Sequence, residues 1–170
     1  YYLRPVLGVG EERTSPYIVT QKGDGGILFI ENKFSVNHKN NVVFIYTNAG
    51  EYAVTGDRTS FFGLGGSLAN PGVFLTGNFP EITGAGLDPC AAIRGRVSLE
   101  PEEERTLVFL LGCADSKAQA AGLADRFRDP QAAQDELYRV RQFWSRKVEA
   151  IQVHTPDDSL DIMLNGWLLY

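Results

Sequence analysis

The chain has 170 residues, a formal net charge of −5, and 44% hydrophobic against 22% charged residues, the composition of a globular protein with room for one core and part of another. An acidic balance argues against nucleic acid as a partner, because phosphate binding wants a basic face, and no apolar run approaches the roughly 20 residues that span a bilayer. The opening "YYLRPVLG" lacks the basic and apolar regions of a signal peptide, so a cytoplasmic location is expected.

Taken in chain order, residues 1 to about 112 read as β. The stretch "YYLRPVLGVG" reads as a strand. "SPYIVTQ" and "GILFIEN" flank the turn "KGDGG", a hairpin pattern. "NNVVFIYTNA" is a short β-branched and aromatic run between turn formers. "CAAIRGRVSL" and "RTLVFLLGC" flank "EPEEE", whose proline and acids suit an exposed connection. Several short strands separated by turns predict a sandwich.

The period changes at Ser116. Ser116 with Gln119 makes a capping box for a helix over "SKAQAAGLADRFRD". Asp129 and Pro130 start a second helix, in which Leu137, Val140, Phe143 with Trp144, and Val148 with Ile151 trace one apolar stripe. A third helix starts with Thr155 as cap, Pro156 in the first turn and Asp158 three residues on. Leu160, Met163, Leu164, Trp167 and Leu168 follow at helical spacing, with Gly166 inside the pattern. No stop signal precedes Tyr170, so the chain reads as a fragment of a longer protein. The expected division is a β domain over 1–114, a helical linker over 115–154, and the first helix of another domain over 155–170.

"TGDRTSFFGLGGSLANPG", residues 55–72, follows neither period. It fails as a dinucleotide loop, since Leu68 stands where the third glycine belongs, and as a phosphate loop, since it has no lysine. Ser67 is followed by Leu68 and Ala69, which is not a nucleophile elbow. Asp57 and Arg58 read either as turn chemistry or as polar recognition of sugar hydroxyls, with Phe61 and Phe62 packing on a sugar face. Glu102, Glu103 and Glu104 read as a solvated turn, Asp157 and Asp158 as helix-start acids, and Asp88 as a residue shaping the turn before Pro89. Asp161 falls off the apolar stripe of the last helix. Cys90 and Cys113 read as two buried thiols. His38 and His154 lack ligand spacing, so no metal site is expected. The residues alone define a β domain with a helical extension and no evident catalytic centre.

Five segments in order, "YYLRPVLG", "TGDRTSFFGLGGSLANP", "GAGLDPCAA", "FLLG" and "VHTPDDSLDIMLNGWLLY", resemble glycoside hydrolase family ninety-four. That family holds cellobiose, chitobiose and β-1,2-oligoglucan phosphorylases and the phosphorylase-like end of cyclic β-1,2-glucan synthases. The cyclic glucan synthase and oligoglucan phosphorylase branch is the most similar, on the first and fifth segments. The resemblance implies an antiparallel supersandwich of the galactose-mutarotase-like kind, then linker helices, then an (α/α)₆ barrel whose first helix starts near Thr155. It implies a catalytic aspartate in the barrel, so none is expected among these residues. It implies inorganic phosphate as co-substrate of the parent enzyme rather than a cofactor, a β-glucan oligosaccharide as ligand, and a homodimer. In a cyclic glucan synthase the location would be the cytoplasmic face of the inner membrane.

The family's Asp-Arg-x-x-Phe motif falls on Asp57, Arg58 and Phe61. These three are the expected substrate-binding residues, on a loop that reaches the neighbouring subunit's barrel. Leu64 stands where many members carry a basic residue. Two readings result. One is the accessory sandwich and linker of an inverting phosphorylase or glucan synthase, inactive alone. The other is a free-standing carbohydrate-binding or structural module.

Overall fold

The structure, a computed structural model, describes residues 1–35 and 40–166. It resolves into two units, Tyr1–Pro130 and Gln131–Tyr170. His38, Trp167 and Leu168 lie outside the described residues.

The first unit is built on two antiparallel sheets. One has the order β1-β6-β5, from Tyr2–Leu3, Pro89–Arg96 and Glu51–Asp57. The other has the order β2-β3-β4-β7, from Ile18–Lys22, Ile27–Asn32, Val42–Thr47 and Phe109–Ala114. The expected hairpin is present: β2 pairs with β3, Ile18 opposite Asn32 and Lys22 opposite Leu28. The "EPEEE" connection is exposed, and it joins strands of different sheets.

Period-two alternation assigns each strand two jobs. On β3, Leu28 and Ile30 point between the sheets, where they meet Ile18, Ile45, Val54, Ala91 and Ile93. The intervening Ile27 and Phe29 point outward, with Phe44 and Tyr46, beneath Ala120 and Ala124 of α4, Lys117–Arg126. Both faces are dry, so "ILFI" is apolar throughout rather than alternating. The outer face of the three-stranded sheet is covered by Phe61, Phe62 and Val73, which meet Cys90 and Ala92. Those side chains come from the short helices α2, Arg58–Phe62, and α3, Gly72–Thr76; a further short helix, α1, is Glu11–Thr14.

β5 was not anticipated from sequence. The strand expected over residues 1–10 is a two-residue pairing, with Tyr2 opposite Ala92. Ser116 caps α4 by accepting from the Gln119 amide at 3.2 Å, while the Gln119 side chain accepts from the Asp115 amide at 2.7 Å. The capping box is thus closed one residue early. Because α4 packs on β3, β4 and β7, the helix at the start of the expected linker is a layer of the sandwich unit.

α5 spans Pro130–Val148, all but its first residue in the second unit. Its stripe of Leu137, Val140, Phe143 and Trp144 is 44–57% exposed. α6 is Asp158–Asn165, capped by Asp157, whose carboxylate accepts from the Ser159 amide at 2.9 Å. The cap is therefore not Thr155. The Thr155 hydroxyl instead accepts from the Asp157 amide at 3.2 Å and donates to the Asp157 carbonyl, a turn that leads into the helix. Asp161 accepts from the Thr155 amide at 2.8 Å, and Asn165 exchanges two 2.8 Å bonds with the Val153 backbone. Asp161 thus anchors the entry to its own helix.

Candidate functional site

The 55–72 stretch decomposes into parts with separate causes. β5 ends at Asp57, which is buried, and whose carboxylate accepts from the Ser60 amide at 3.0 Å. That bond satisfies an orphan donor of α2. α2 stops at Gly63, with φ 69°. The glycines that follow are required by closeness rather than by a ligand. A Cβ on Gly66 would sit 1.8 Å from the Phe62 carbonyl oxygen, and one on Gly72 2.4 Å from the same atom. The loop therefore folds back over the end of α2. Ser67 and Asn70 close it with two backbone bonds of 3.1–3.2 Å, which places Ser67 in a tight turn.

The three expected ligand residues point in different directions. Asp57 serves the helix, and Phe61 is buried with its ring stacked on Tyr2 at 5.0 Å. Arg58 points outward, with 37% of its side chain exposed. Its Nη1 donates to Asp88 Oδ2 at 2.9 Å, and its backbone amide donates to the Asp88 carbonyl at 2.8 Å. The bond it donates to Asp88 holds the guanidinium pKa above its ordinary value. The Phe62 ring lies 5.1 Å from the Arg58 guanidinium carbon, a cation–π contact. Asp88 Oδ1 receives Arg4 at 3.5 Å, and Arg4 pairs in turn with Glu11. Sequence reading left Asp88 as a turn residue and did not single out Arg4. The signal available was the Asp-Pro pair at the start of a strand, which does not reveal what the carboxylate faces.

Beside this network lies an aromatic cleft of about 320 Å³, bordered by Tyr2, Phe61, Leu68, Phe74, Phe79 and Arg94. Arg94 sits 5.2 Å over the Phe79 ring. Leu68 and Phe74 are 75% and 70% exposed, so ring-sized apolar surface stands within the loop's reach. The Tyr2 phenol is raised above its ordinary pKa, chiefly by burial and against the pull of Arg58.

Cys90 is fully buried behind Asp57 and Asp88. Burial first, then the two carboxylates, pushes its thiol up to about 12, so it is not a nucleophile. Cys113 is exposed on β7, the last strand of its sheet, which corrects the expectation of two buried thiols. A thiol reagent at pH 8 is expected to label one equivalent quickly and the second only on unfolding; two fast equivalents would overturn this burial. Because the folded pKa is raised, the Cys90 contribution to stability is intact below the ordinary value of 9.0 and is lost as pH climbs from there towards about 12.

Among the described residues, no cluster of three or more His, Cys, Asp or Glu side chains is placed to hold a metal, and no helix is long and apolar enough to cross a membrane. The site offers a fixed cation beside aromatic surface, which is binding chemistry.

An antiparallel sandwich with helices over both outer faces, one of them carrying an outward arginine, is a sandwich domain of the supersandwich class. Residues 1–130 match the supersandwich domain of glycosyl hydrolase 94, and the chain belongs to that family. It is 27% identical over 173 residues to the cyclic beta-(1,2)-glucan synthase NdvB of Rhizobium meliloti, covering 99% of this chain and 6% of that protein. It is 26% identical over 115 residues to the N,N'-diacetylchitobiose phosphorylase of Vibrio furnissii, covering 68% of this chain and 14% of the phosphorylase. It is 25% identical over 132 residues to the 3-O-beta-D-glucopyranosyl-beta-D-glucuronide phosphorylase of Paenibacillus borealis, covering 75% and 16%. The chain thus spans a small part of each relative's length.

Proposed function

We propose that this chain is the accessory, carbohydrate-contacting sandwich and linker of an inverting β-glucan phosphorylase or cyclic β-1,2-glucan synthase. The observation that carries this reading is Arg58, held by Asp88 and set against the Phe62 ring, next to Tyr2, which lines the aromatic cleft. A guanidinium donates directional bonds to sugar hydroxyls, and aromatic surface accepts the apolar face of the ring. Asp57 and Phe61 act by fixing the helix that carries Arg58. The similarity to a glucan synthase and to phosphorylases supports this choice of ligand.

The chemistry belongs to a barrel beginning near Thr155, with inorganic phosphate as co-substrate in a cytoplasmic homodimer. The half-exposed stripe on α5 suits a helix that lies against such a barrel. Two measurements test this. The 170-residue chain mixed with β-1,2-glucan and phosphate is expected to release no glucose 1-phosphate, and release would overturn the siting of the chemistry. In the longer polypeptide, Arg58→Ala is expected to weaken acceptor affinity about tenfold, the loss of one charge-assisted bond; unchanged affinity would remove Arg58 from the site.

A further inference from the structure

A larger cleft, of about 590 Å³, opens between the β2–β3 turn and α4. It lies on the opposite outer face from Arg58, since α4 packs on β3, β4 and β7 whereas α2 packs on β5 and β6. Small residues keep it open: Ala121 and Ala124 on the helix, Gly23 and Gly25 on the turn. Gly25 has φ 70°, a left-handed conformation that suits glycine and holds the turn in shape.

The floor is formed by Phe29 and Tyr46. The Tyr46 phenol is raised above its ordinary pKa, first by burial, with Arg128 acting against that and Asp125 adding to it, so all three groups meet at one end of the cleft. The rim carries two carboxylates, Asp24 and Asp125, and two cations, Lys22 and Arg128. The Asp24 side chain makes no hydrogen bond or ion pair among the described residues. Asp125 and Arg128 touch at 3.8 Å, with side chains 76% and 65% exposed. An exposed pair of this kind contributes little to stability, so both groups are available to a ligand.

We infer that this cleft is a second binding site, taking a neutral polyhydroxylated ligand, a short oligosaccharide. Lys22 is already paired with Glu81, so the rim keeps a negative excess that disfavours an anion and leaves the Asp24 carboxylate to accept from hydroxyls. Carboxylates that accept and a guanidinium that donates match vicinal hydroxyls. The volume falls within the roughly 300–1,000 Å³ of small-ligand clefts, and an apolar floor with a few convergent polar groups is their usual lining. The choice of sugar rests on the carbohydrate reading above; the site itself is separate from Arg58.

The test is a nitrogen-15 amide titration of the 170-residue chain with the β-1,2-linked glucose trisaccharide. Amides of residues 23–26 and 121–128 are expected to shift saturably. The Asp24→Asn/Asp125→Asn variant is expected to weaken that response at least tenfold, while Arg58→Ala leaves it unchanged. Both aspartates are exposed, so the rest of the variant's spectrum should match the parent's and report an intact fold. No saturable shift below about 10 mM sugar would overturn the inference, and so would a response kept by the variant. Shifts produced by inorganic phosphate in place of sugar would overturn the neutral class. Failure of the Arg58 reading shows elsewhere, as the absence of any Arg58-dependent change at residues 57–63.

Discussion

Gly56→Ala is expected to lower the unfolding free energy by about 3 kcal/mol, the upper end of what inserting one methyl into a packed core costs. Gly56 lies on β5, at an irregularity in its pairing with β6 between Thr55 and Asp57. A Cβ there would meet Thr20 of the other sheet, at 1.9 Å from Oγ1, 2.5 Å from Cβ and 2.8 Å from Cγ2. Thr20 cannot step aside, because it is 2% exposed and bonded to Gly84 through both its backbone and its hydroxyl. The same segment receives the Gly56 amide at the Ile82 carbonyl, 2.7 Å away. Residues 82–84 therefore clip the two sheets together where Gly56 and Thr20 touch. Urea unfolding measures the loss. Because Thr20→Ala removes two of the three colliding atoms, the double variant is expected to be less destabilised than the sum of the single ones. A Gly56→Ala protein of unchanged midpoint and slope would mean that the sheets do not approach as closely as described.

How much of this was legible in the sequence differs by residue. The β2–β3 hairpin was legible because "KGDGG" between two apolar runs carries turn chemistry in local order. α4 and α5 were legible through caps and period. β5 was not: "EYAVTGD" has a charged residue at each end, a glycine at the sheet contact and a cap residue last, so its strand character comes from pairing with β6, from Asp57 opposite Pro89 to Glu51 opposite Arg96. The glycines of 55–72 were visible as a cluster, but their cause is a single carbonyl, that of Phe62, which only the folded loop brings near. Arg58 stood out as a candidate from its motif. Its partner did not, because Asp88 meets it across a separation of thirty residues. The cleft beneath α4 left no sequence signal, since residues 21–29 and 121–128 are unremarkable apart.

On the proposed reading of Arg58, Asp88→Ala is expected to weaken glucan binding by threefold to tenfold, about 0.5–1.5 kcal/mol, and to cost the fold no more than about 1 kcal/mol. The carboxylate is 32% exposed and its partner Arg58 37%, so the pair is worth at most about 1 kcal/mol to the fold. The Arg58 amide keeps its 2.8 Å bond to the backbone carbonyl of residue 88 whatever the side chain, so the loop remains anchored. What disappears is the bond that holds the guanidinium in place, and ordering a freed arginine on binding costs about 0.5–1.5 kcal/mol. Asp88→Asn should recover part of the affinity, because an amide oxygen can accept from Nη1 in the same position. Arg58→Lys should not, since one ammonium lacks the planar fork that serves Asp88 and a sugar hydroxyl together. Calorimetric titration in the longer polypeptide, beside thermal unfolding of the same variants, separates the roles. Weaker binding at unchanged Tm makes Asp88 a positioning residue for Arg58. If Arg58→Ala weakens binding and Asp88→Ala does not, Arg58 finds its place without help. If neither does, Arg58 and Asp88 only join α2 to the start of β6, and the sugar contact lies elsewhere on the domain.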